Sequence, residues 1–365
     1  MKAAIWVLFF FFIYPYLIYP LILKFLPKKK KSLSTPEKWP KVTLLIAAYN
    51  EEKLIRDKLE NSLLLDYPDL EIVVVSDGST DKTNEILTEY NEIETVFLSK
   101  REGKPKALEA GVNKATGDII CFSDVSAFLS ANSLKALIKN LLLEDVGACG
   151  GVLSLKKFPR QSLGESFYSQ YETKLRALET ETGKNSTIVL PGAFYAVKKR
   201  DLILPPENII ADDFYITCSL LKKNKRLIQV DEAIAWEQSV YSTSEEFVRK
   251  ARIIAGGIQT MSLFSTLVWG PWGFFLISHK ILRWAAAFIG IIHYLLLLSS
   301  GLYTPLLAVE SLFIALGLLS LIAEKLGVAT PRFFALCRHF LVVNTAVIFG
   351  FIGLMTGRQS VKWTR

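Results

Sequence analysis

The 365-residue sequence predicts an α/β domain built on a mainly parallel sheet with flanking helices, with transmembrane α-helices at the N-terminus and in the C-terminal third. Three observations predict this arrangement. Between residues 36 and 259, short apolar runs alternate with helical patterns, as in βαβ units. Apolar stretches long enough to cross a bilayer precede and follow this region. The composition, with 51% hydrophobic residues and a mean hydropathy of +0.30, is too apolar for an ordinary soluble protein.

The first element is the apolar segment from Ala3 to Leu26, which Lys28 to Lys31 follow directly. A spanning helix needs about 20 apolar residues, and flanking lysines favour the cytoplasmic side. We therefore predict an N-terminal transmembrane helix over residues 1–27 with its C-terminal end in the cytoplasm. The alternative is a signal peptide, but the apolar core is long and aromatic, and no small-residue cleavage site follows it.

The central region, residues 36–259, is predicted to be a cytoplasmic domain. The run VTLLIAA at 42–48 is typical of a strand that is buried on both faces of a parallel sheet. Leucines at helical spacing between 51 and 65 predict a helix, which DYPDL ends. Three more strands are predicted, each preceded by a helix: EIVVVSD, TVFLSK and GDIICFSD. This alternation predicts parallel pairing with right-handed crossovers.

Polar residues gather at the carboxyl ends of these strands, where open α/β sheets bind their ligands. In VVVSDGSTDKT they follow the strand at once, although a turn and a helix N-cap would explain the same residues. No GxGxxG follows a strand and no Walker loop is present, which argues against hydride chemistry and P-loop phosphate binding. Acids beside a Gly-Lys pair suit a ligand with a base, a ribose and phosphates held through a divalent metal.

Five motifs follow one another in register: AAYNEE, VVSDGSTDKT, REGKPKAL, FSDVSAF and ADDFYIT. Together they resemble a membrane-bound family 2 glycosyltransferase of bacterial type with the GT-A fold, and the resemblance extends to the tail GRQSVKW. It implies an inverting hexosyl- or N-acetylhexosaminyltransferase of the cell inner membrane, with a cytoplasmic UDP-sugar donor and a lipid or glycan acceptor. The alternatives are a polyprenyl-phosphate sugar transferase and an inactive membrane transporter or scaffold.

The resemblance also implies which residues bind the nucleotide-sugar. Tyr49 and Glu51 would line the base and ribose pocket, and Asp77 would accept a hydrogen bond from the uracil N–H. Arg101 and Lys104 would approach the diphosphate, with the lysine acting as a mobile point charge. Near the membrane, RKARI stands where the family often has QXXRW. Its arginine, Arg252, is retained and would bind diphosphate.

Two departures from the family pattern bear on metal and product. The resemblance implies a divalent metal, Mg or Mn, held at Asp124, but Ser126 stands where the second acid of the DXD element is usual. Metal affinity should fall with the lost charge. In RKARI, Arg249 replaces Gln and Ile253 replaces Trp, so transfer of a single sugar or a short oligomer is as well supported as synthesis of a long polymer.

An inverting transfer needs a base for the acceptor hydroxyl. Histidine is excluded, because all three histidines lie in the apolar C-terminal part. The resemblance selects Asp213 as the base and Asp212 as the alternate, although the pair would also suit a helix N-terminus. In LPGAFYAVKKR, Gly192 and Ala193 would form the acceptor side, and a simple tight turn is the competing explanation.

The last third, residues 260–365, is predicted to hold interfacial and transmembrane helices and a basic tail. Three of its four apolar stretches should span the membrane; they lie at 261–277, 284–300, 304–322 and 340–355. The first contains GPWG and should lie in the interface, with a fourth span as the alternative. Basic residues in the 332–338 loop and in the tail both favour the cytoplasm, so the side of the C-terminus stays open.

The distribution of charge argues against a nucleic-acid-binding protein, and the spacing of the cysteines argues against a cysteine-ligated metal site. The net charge of +8 arises largely beside the membrane segments, where anionic headgroups favour Lys and Arg, and no aromatic-basic motif for nucleic acid appears. The four cysteines, Cys121, Cys149, Cys218 and Cys337, have no metal-ligand spacing. We expect them to be reduced and buried.

Overall fold

The computed structural model describes residues 1–28, 36–155, 163–182, 186–237 and 243–357. Two predicted features lie outside these residues. They are most of the lysine cluster after the first apolar segment and most of the basic tail, including Arg358, Lys362 and Arg365.

An eight-stranded mixed sheet forms the centre of the domain. Its strands are β1 (Val42–Ala48), β2 (Leu70–Ser76), β3 (Glu94–Phe97), β4 (Ile119–Asp124), β5 (Ala127–Leu129), β6 (Val146–Leu155), β7 (Phe194–Lys198) and β8 (Arg226–Glu237). They lie in the order β3-β2-β1-β4-β7-β6-β8-β5. The first four pair in parallel, as predicted. Beyond them, β7 runs antiparallel to β4 and β6, β5 runs antiparallel to β8, and β6 and β8 are parallel.

Helices cover both faces of this sheet. Counted along the chain after α1 (Lys2–Ile13) and α2 (Tyr19–Phe25), the helices of this region are α3 (Ile55–Leu63), α4 (Thr83–Leu87), α5 (Lys104–Lys114), α6 (Ser133–Leu141), α7 (Leu163–Glu181), α8 (Asp212–Lys222) and α9 (Thr243–Leu263). Of these, α4 packs against α3, and α9 packs against α8. Alternate strand residues face opposite sides. Leu45 of β1 therefore joins the core with Leu108 of α5, whereas Leu44 joins a second core with Leu59 of α3 and Leu137 of α6.

Four helical segments are long and apolar enough to cross a membrane: Lys2–Phe25, Gly273–Ser300, Thr304–Lys325 and Arg332–Met355. The first is α1 and α2 joined by a π-helical turn. The second consists of α10 (Gly273–Leu276), another π-helical turn and α11 (Leu282–Ser300), and the last two are α12 (Thr304–Lys325) and α13 (Arg332–Met355). One N-terminal and three C-terminal candidates match the predicted number.

The predicted apolar stretch at 261–277 is divided between elements. Residues 261–263 are the end of α9, and residues 273–277 begin the second candidate span. The division falls at GPWG, where a Cβ on Gly273 would lie 1.9 Å from the Val268 carbonyl oxygen, so only glycine fits this tight turn. The predicted domain boundary between 259 and 260 falls inside α9. The domain limits and the interfacial position of this stretch stay predictions.

The first candidate span packs antiparallel along the second. The Trp6 indole, near the start of the first span, donates to the Tyr303 hydroxyl, just after the end of the second span, at 3.1 Å. The Tyr14 hydroxyl, at the middle of the first span, lies 3.0 Å from the Ser278 hydroxyl, near the start of the second. All four cysteines are free and buried, which confirms their predicted state.

A buried polar cluster joins these helices to α7 of the domain. The Tyr19 hydroxyl donates to Glu179 Oε1 at 2.6 Å, and His279 Nδ1 lies 2.7 Å from the same oxygen. Arg283 forms an ion pair with Glu172, which lies two helical turns before Glu179 on α7. Burial raises the pKa of Glu179, but His279 and its hydrogen-bond donors outweigh burial and hold it below its usual value. The cluster therefore fixes the domain to the first two candidate membrane spans through charged groups.

Candidate active site

The loops after β1 and β2 are tied together by hydrogen bonds. Asn50 Oδ1 accepts from the Thr80 amide at 2.8 Å, and the Glu51 amide donates to Thr83 Oγ1 at 2.7 Å. The polar residues of DGSTDKT therefore form hydrogen bonds with the loop after β1, and their last residue, Thr83, begins α4. The buried strand β2 is followed by small acidic and hydroxylic residues because these residues form hydrogen bonds with the loop at the end of the neighbouring strand, β1.

Two residues predicted for the nucleotide pocket are in direct contact. The Arg101 guanidinium carbon lies 3.9 Å from the centre of the Tyr49 ring, within the range of a cation–π interaction. Glu51 follows on the same loop and is half-buried. The aromatic ring and the cation thus approach each other from the ends of different strands.

Asp77 is completely buried and holds the loop that precedes α5. Its two carboxylate oxygens accept from the backbone amides of Glu102 and Gly103, at 2.7 and 2.9 Å. A Cβ on Gly78 would lie 2.4 Å from the Arg101 nitrogen, and Gly78 has a φ of +64°, so glycine is required at this crossing. Asp77 thus has a loop-holding role that the sequence did not predict. Its contact with uracil stays a prediction.

Lys104, the first residue of α5, joins two acids from distant parts of the chain. Its Nζ lies 3.1 Å from Asp124 Oδ1, at the end of β4, and 3.4 Å from Asp212 Oδ2, at the start of α8. Burial lowers the pKa of Lys104, but Asp124, Asp212 and Asp213 outweigh burial and raise it above its usual value. The ammonium group is therefore charged at neutral pH.

Asp213 lies near the Lys104 ammonium group, and its pKa is raised. Burial, followed by the charge of Asp212, raises its pKa to about 6, although Lys104 and the Phe214 amide oppose the shift. A carboxylate with a pKa near the working pH is suited to accept a proton. Gly192 leaves room for it, because a Cβ there would lie 2.5 Å from Asp213 Oδ2.

The start of β7 completes the wall of the site. The Asp124 amide donates to the Ala193 carbonyl at 3.1 Å. Tyr195 stacks on Phe122 with ring centres 4.8 Å apart, and its buried hydroxyl has no hydrogen-bond partner among the described residues. Burial and three nearby carboxylates raise the pKa of Tyr195, so the hydroxyl keeps its proton. It lines a small cavity together with Lys104, Asp124, Gly192 and Asp212. Tyr195 was not among the site residues predicted from the sequence.

Asp124 and Ser126 are the predicted metal ligands, and both lie at the turn after β4. The Asp124 side chain is 38% exposed, and the Ser126 hydroxyl is 3.5 Å from Glu237 Oε1. Within the described ranges, no three His, Cys, Asp or Glu side chains are grouped to hold a metal ion. Mg²⁺ is often bound by only one or two protein carboxylates, with waters and substrate phosphates. The exposed carboxylate and the hydroxyl fit a site of that kind.

Helix α9 packs close to the segment that precedes the acids. A Cβ on Gly256 would lie 2.8 Å from the Ala211 nitrogen, and the Gln259 side chain accepts from the Ile210 amide at 3.0 Å. Arg252 precedes Gly256 by one helical turn, so both lie on the same face of α9. In the described structure Arg252 has no ion pair with the acids. Gln259, which the sequence analysis did not select, positions the segment before Asp212.

A second unexpected residue lies below the turn after β4. Lys58 of α3 is completely buried, and its Nζ donates to Ser123 Oγ at 2.7 Å and to the Ala127 carbonyl. These two residues flank the segment Asp124 to Ser126. Burial lowers the pKa of Lys58 to about 7. The helical spacing around Lys58 gave no sign of this contact, because lysine is usually a surface residue.

Comparison with known proteins identifies this domain. The family model described as glycosyl transferase family 2 matches residues 43–203, which include the loops after β1, β2 and β4 and the Gly192 turn. The chain therefore contains a glycosyl transferase family 2 domain. The acids Asp212 and Asp213 lie beyond the matched residues, yet they contact Lys104 and Gly192 within them.

Two curated relatives each match about 60% of the chain. Poly-beta-1,6-N-acetyl-D-glucosamine synthase of Staphylococcus aureus (strain COL) is 25% identical over 236 residues, 62% of this chain and 57% of the relative. The probable glycosyltransferase YdaM of Bacillus subtilis (strain 168) is 27% identical over 230 residues, 58% of this chain and 53% of the relative. The chain thus spans a little over half the length of these relatives.

A solved structure shares the fold of nearly the whole chain. The mannosyltransferase PcManGT from Pyrobaculum calidifontis, solved in complex with GDP-Man and Mn²⁺, superimposes with a TM-score of 0.76 at 22% identity. The match covers 98% of this chain and 99% of that one, including the helices outside the domain. The GT-A fold with N- and C-terminal helices is therefore confirmed.

Proposed function

We propose that this glycosyltransferase moves a sugar, with inversion, from a nucleotide diphosphate sugar to a lipid or glycan acceptor at the membrane. The observation that carries the proposal is the position of the Lys104 ammonium, which lies between Asp124 and Asp212 and next to Asp213. A fixed cation suits a departing diphosphate. An adjacent carboxylate with a pKa of about 6 suits an acceptor hydroxyl that must lose its proton.

On the acceptor side, Asp213 takes the proton as the hydroxyl attacks the anomeric carbon. Asp212 raises the pKa of Asp213 and contacts Lys104, so it supports the base and is the alternate for this role. Gly192 and Ala193 form the wall at which the acceptor sugar approaches. The close fit of Gly192 to the Asp213 carboxylate supports this placement.

On the donor side, Tyr49 stacks on the base, Glu51 accepts from the ribose, and Asp77 favours uridine. Arg101, Lys104 and Arg252 hold the diphosphate. Asp124 and Ser126 would hold Mg²⁺ or Mn²⁺. When bound, the ion adds positive charge against the leaving diphosphate.

We further propose that the protein is a multi-pass protein of the inner membrane with a cytoplasmic catalytic domain. Four apolar helices and a domain that is fixed to two of them by buried charges support this arrangement. Segments 1–27, 36–259 and 260–365 would be the N-terminal helix, the catalytic domain and the membrane helices with the tail. This order brings a cytoplasmic donor to an acceptor at the bilayer.

A polyprenyl-phosphate acceptor is the second candidate. One observation favours it over a long polymer: Ile253 replaces the tryptophan expected near a growing chain. An inactive transporter or scaffold is the remaining alternative, and the next experiment tests it.

The test is nucleotide release from a panel of UDP- and GDP-sugars by the detergent-purified full chain. Wild type should release nucleotide from at least one donor, and Asp213→Asn should lose at least about 10²-fold, the usual contribution of a general base. Asp57→Asn, which changes an exposed aspartate on α3, is the control and should match wild type. Equal release by wild type and Asp213→Asn would refute the assigned base.

The fate of the label distinguishes the acceptors. Radiolabel that enters organic solvent as one sugar per lipid supports the polyprenyl-phosphate acceptor, and a water-soluble ladder supports a glycan. No release from any donor, by wild type as well, would leave only an inactive membrane protein.

A further inference from the structure

The turn that carries the predicted metal ligands is fixed from both sides. Asp124 ends β4 and Ala127 begins β5, so only two residues lie between the strands. Lys58 donates to Ser123 and to the Ala127 carbonyl, on either side of the turn. Preorganised ligands of this kind favour metal binding. The turn itself supplies one carboxylate and one hydroxyl.

A second carboxylate reaches the turn from β8, the strand that pairs with β5. β5 pairs antiparallel with β8, and this register places Glu237 opposite Ala127. The Ser126 hydroxyl donates to Glu237 Oε1 at 3.5 Å, and the side chain of Glu237 is buried. The register of the sheet therefore brings an acid to the residue at which the family pattern lost one.

The charge at Asp124 bears on how many acids a metal site here needs. The Lys104 ammonium lies 3.1 Å from Asp124 Oδ1 and partly neutralises this carboxylate, so a divalent ion at the turn needs the charge of a second acid. The buried Tyr195 hydroxyl faces the same cavity without a partner in the described structure. A buried hydroxyl normally has one. The site therefore accepts a group, such as water or a ligand oxygen, that the described residues do not supply.

We propose that Glu237 supplies the second carboxylate of a divalent metal site, with Asp124 and the Ser126 hydroxyl. Two carboxylates restore the charge of the usual DXD pair, and oxygen ligands suit Mg²⁺ and Mn²⁺. The inference rests on the proposed function, because the ion would serve the diphosphate of the donor. It differs from the sequence prediction, in which Ser126 simply weakened the site.

The test measures Mn²⁺ binding directly. Free Mn²⁺ is titrated by electron paramagnetic resonance against the full chain in detergent, with saturating UDP present. Glu237→Gln should weaken Mn²⁺ binding by at least about tenfold, the scale at which altered metal surroundings act. Glu232→Gln, an exposed glutamate on the same strand, is the matched control and should bind as wild type does.

A rescue variant separates ligation from folding. Adding Ser126→Asp to Glu237→Gln should restore Mn²⁺ affinity to within about threefold of wild type, because it returns the second acid to the turn. Melting curves without metal show whether each variant folds. If Glu237→Gln does not fold, Glu237→Asp replaces it, and its shorter side chain should also weaken binding. Unchanged Mn²⁺ affinity in a folded Glu237 variant would overturn the proposal.

The outcomes also distinguish this inference from the proposed function. Nucleotide release that persists in chelator, with no Mn²⁺ bound by wild type, would refute the metal site and leave the glycosyltransferase function intact. No release with any donor, despite Mn²⁺ binding that Glu237→Gln weakens, would refute the function while supporting the metal ligand. Release and Mn²⁺ binding that both depend on Glu237 would support both.

Discussion

Gly192→Ala should slow transfer by about 10²-fold, because it displaces the carboxylate of Asp213. The added Cβ would lie 2.5 Å from Oδ2 and 3.0 Å from Cγ, whereas ordinary contact begins at 3.4 Å. The carboxylate must therefore move by roughly 1 Å, and a misplacement of this size at a reacting centre costs about 10²-fold. This corresponds to about 2.7 kcal/mol of transition-state stabilisation. Gly192 is outside the left-handed region, so alanine adds a clash without backbone strain.

The assay compares kcat and KM for the donor from nucleotide release, with an acceptor present. The loss should lie in kcat, because the donor contacts are elsewhere, and the melting temperature should change little. Gly270→Ala is the control, since its Cβ would make only an ordinary contact of 3.5 Å with the Leu267 carbonyl. A Gly192→Ala enzyme with a rate within threefold of wild type would refute the placement of the base against this turn.

Three further predictions concern pH and stability. With the pKa of Asp213 near 6, kcat/KM should fall about tenfold per pH unit below pH 6, as the base gains its proton; a flat profile from pH 5 to 7 would contradict this. Lys58 has a pKa of about 7 when folded and 10.5 when unfolded, so the unfolded chain binds more protons between these values. The melting temperature of wild type relative to Lys58→Met should therefore rise from pH 7 to pH 9, and a constant difference would refute the shift. Glu179→Gln should destabilise the protein by about 3 kcal/mol, because it breaks the buried pair with His279, whereas Glu181→Gln, in an exposed pair, should cost under about 1 kcal/mol. Equal melting temperatures for these two variants would show that the buried cluster does not secure the domain.

The first four strands could be predicted from the sequence because each is a short apolar run and a helix separates each from the next. Their parallel pairing follows from the connections between them. The second half of the sheet did not follow in the same way. β7 lies between β4 and β6, and β5 lies beside β8, so these pairings join segments far apart in the sequence. No local pattern encodes such neighbours.

The site shows the same division. Lys104, Asp124, Asp212 and Asp213 were selected by motif, and the structure brings them together. Lys58 was missed because its contacts are long-range and a lysine within a helical pattern is usually exposed. Tyr195, Gln259 and Glu237 were missed for a related reason: each depends on which strand or helix lies opposite it. Residue type predicted the chemistry, but pairing register decided the neighbours.

The packing of α1 along α11 has a consequence for how the protein is made. The first candidate span is made well before its partners, because Ser278 lies 264 residues beyond Tyr14 and Tyr303 lies 297 residues beyond Trp6. Until those residues are translated, the Tyr14 hydroxyl and the Trp6 indole lack these contacts. We therefore expect the first span to reach its final packing only after the segment that carries Ser278 and Tyr303 has inserted, and chains released before that point to be recognised as incomplete.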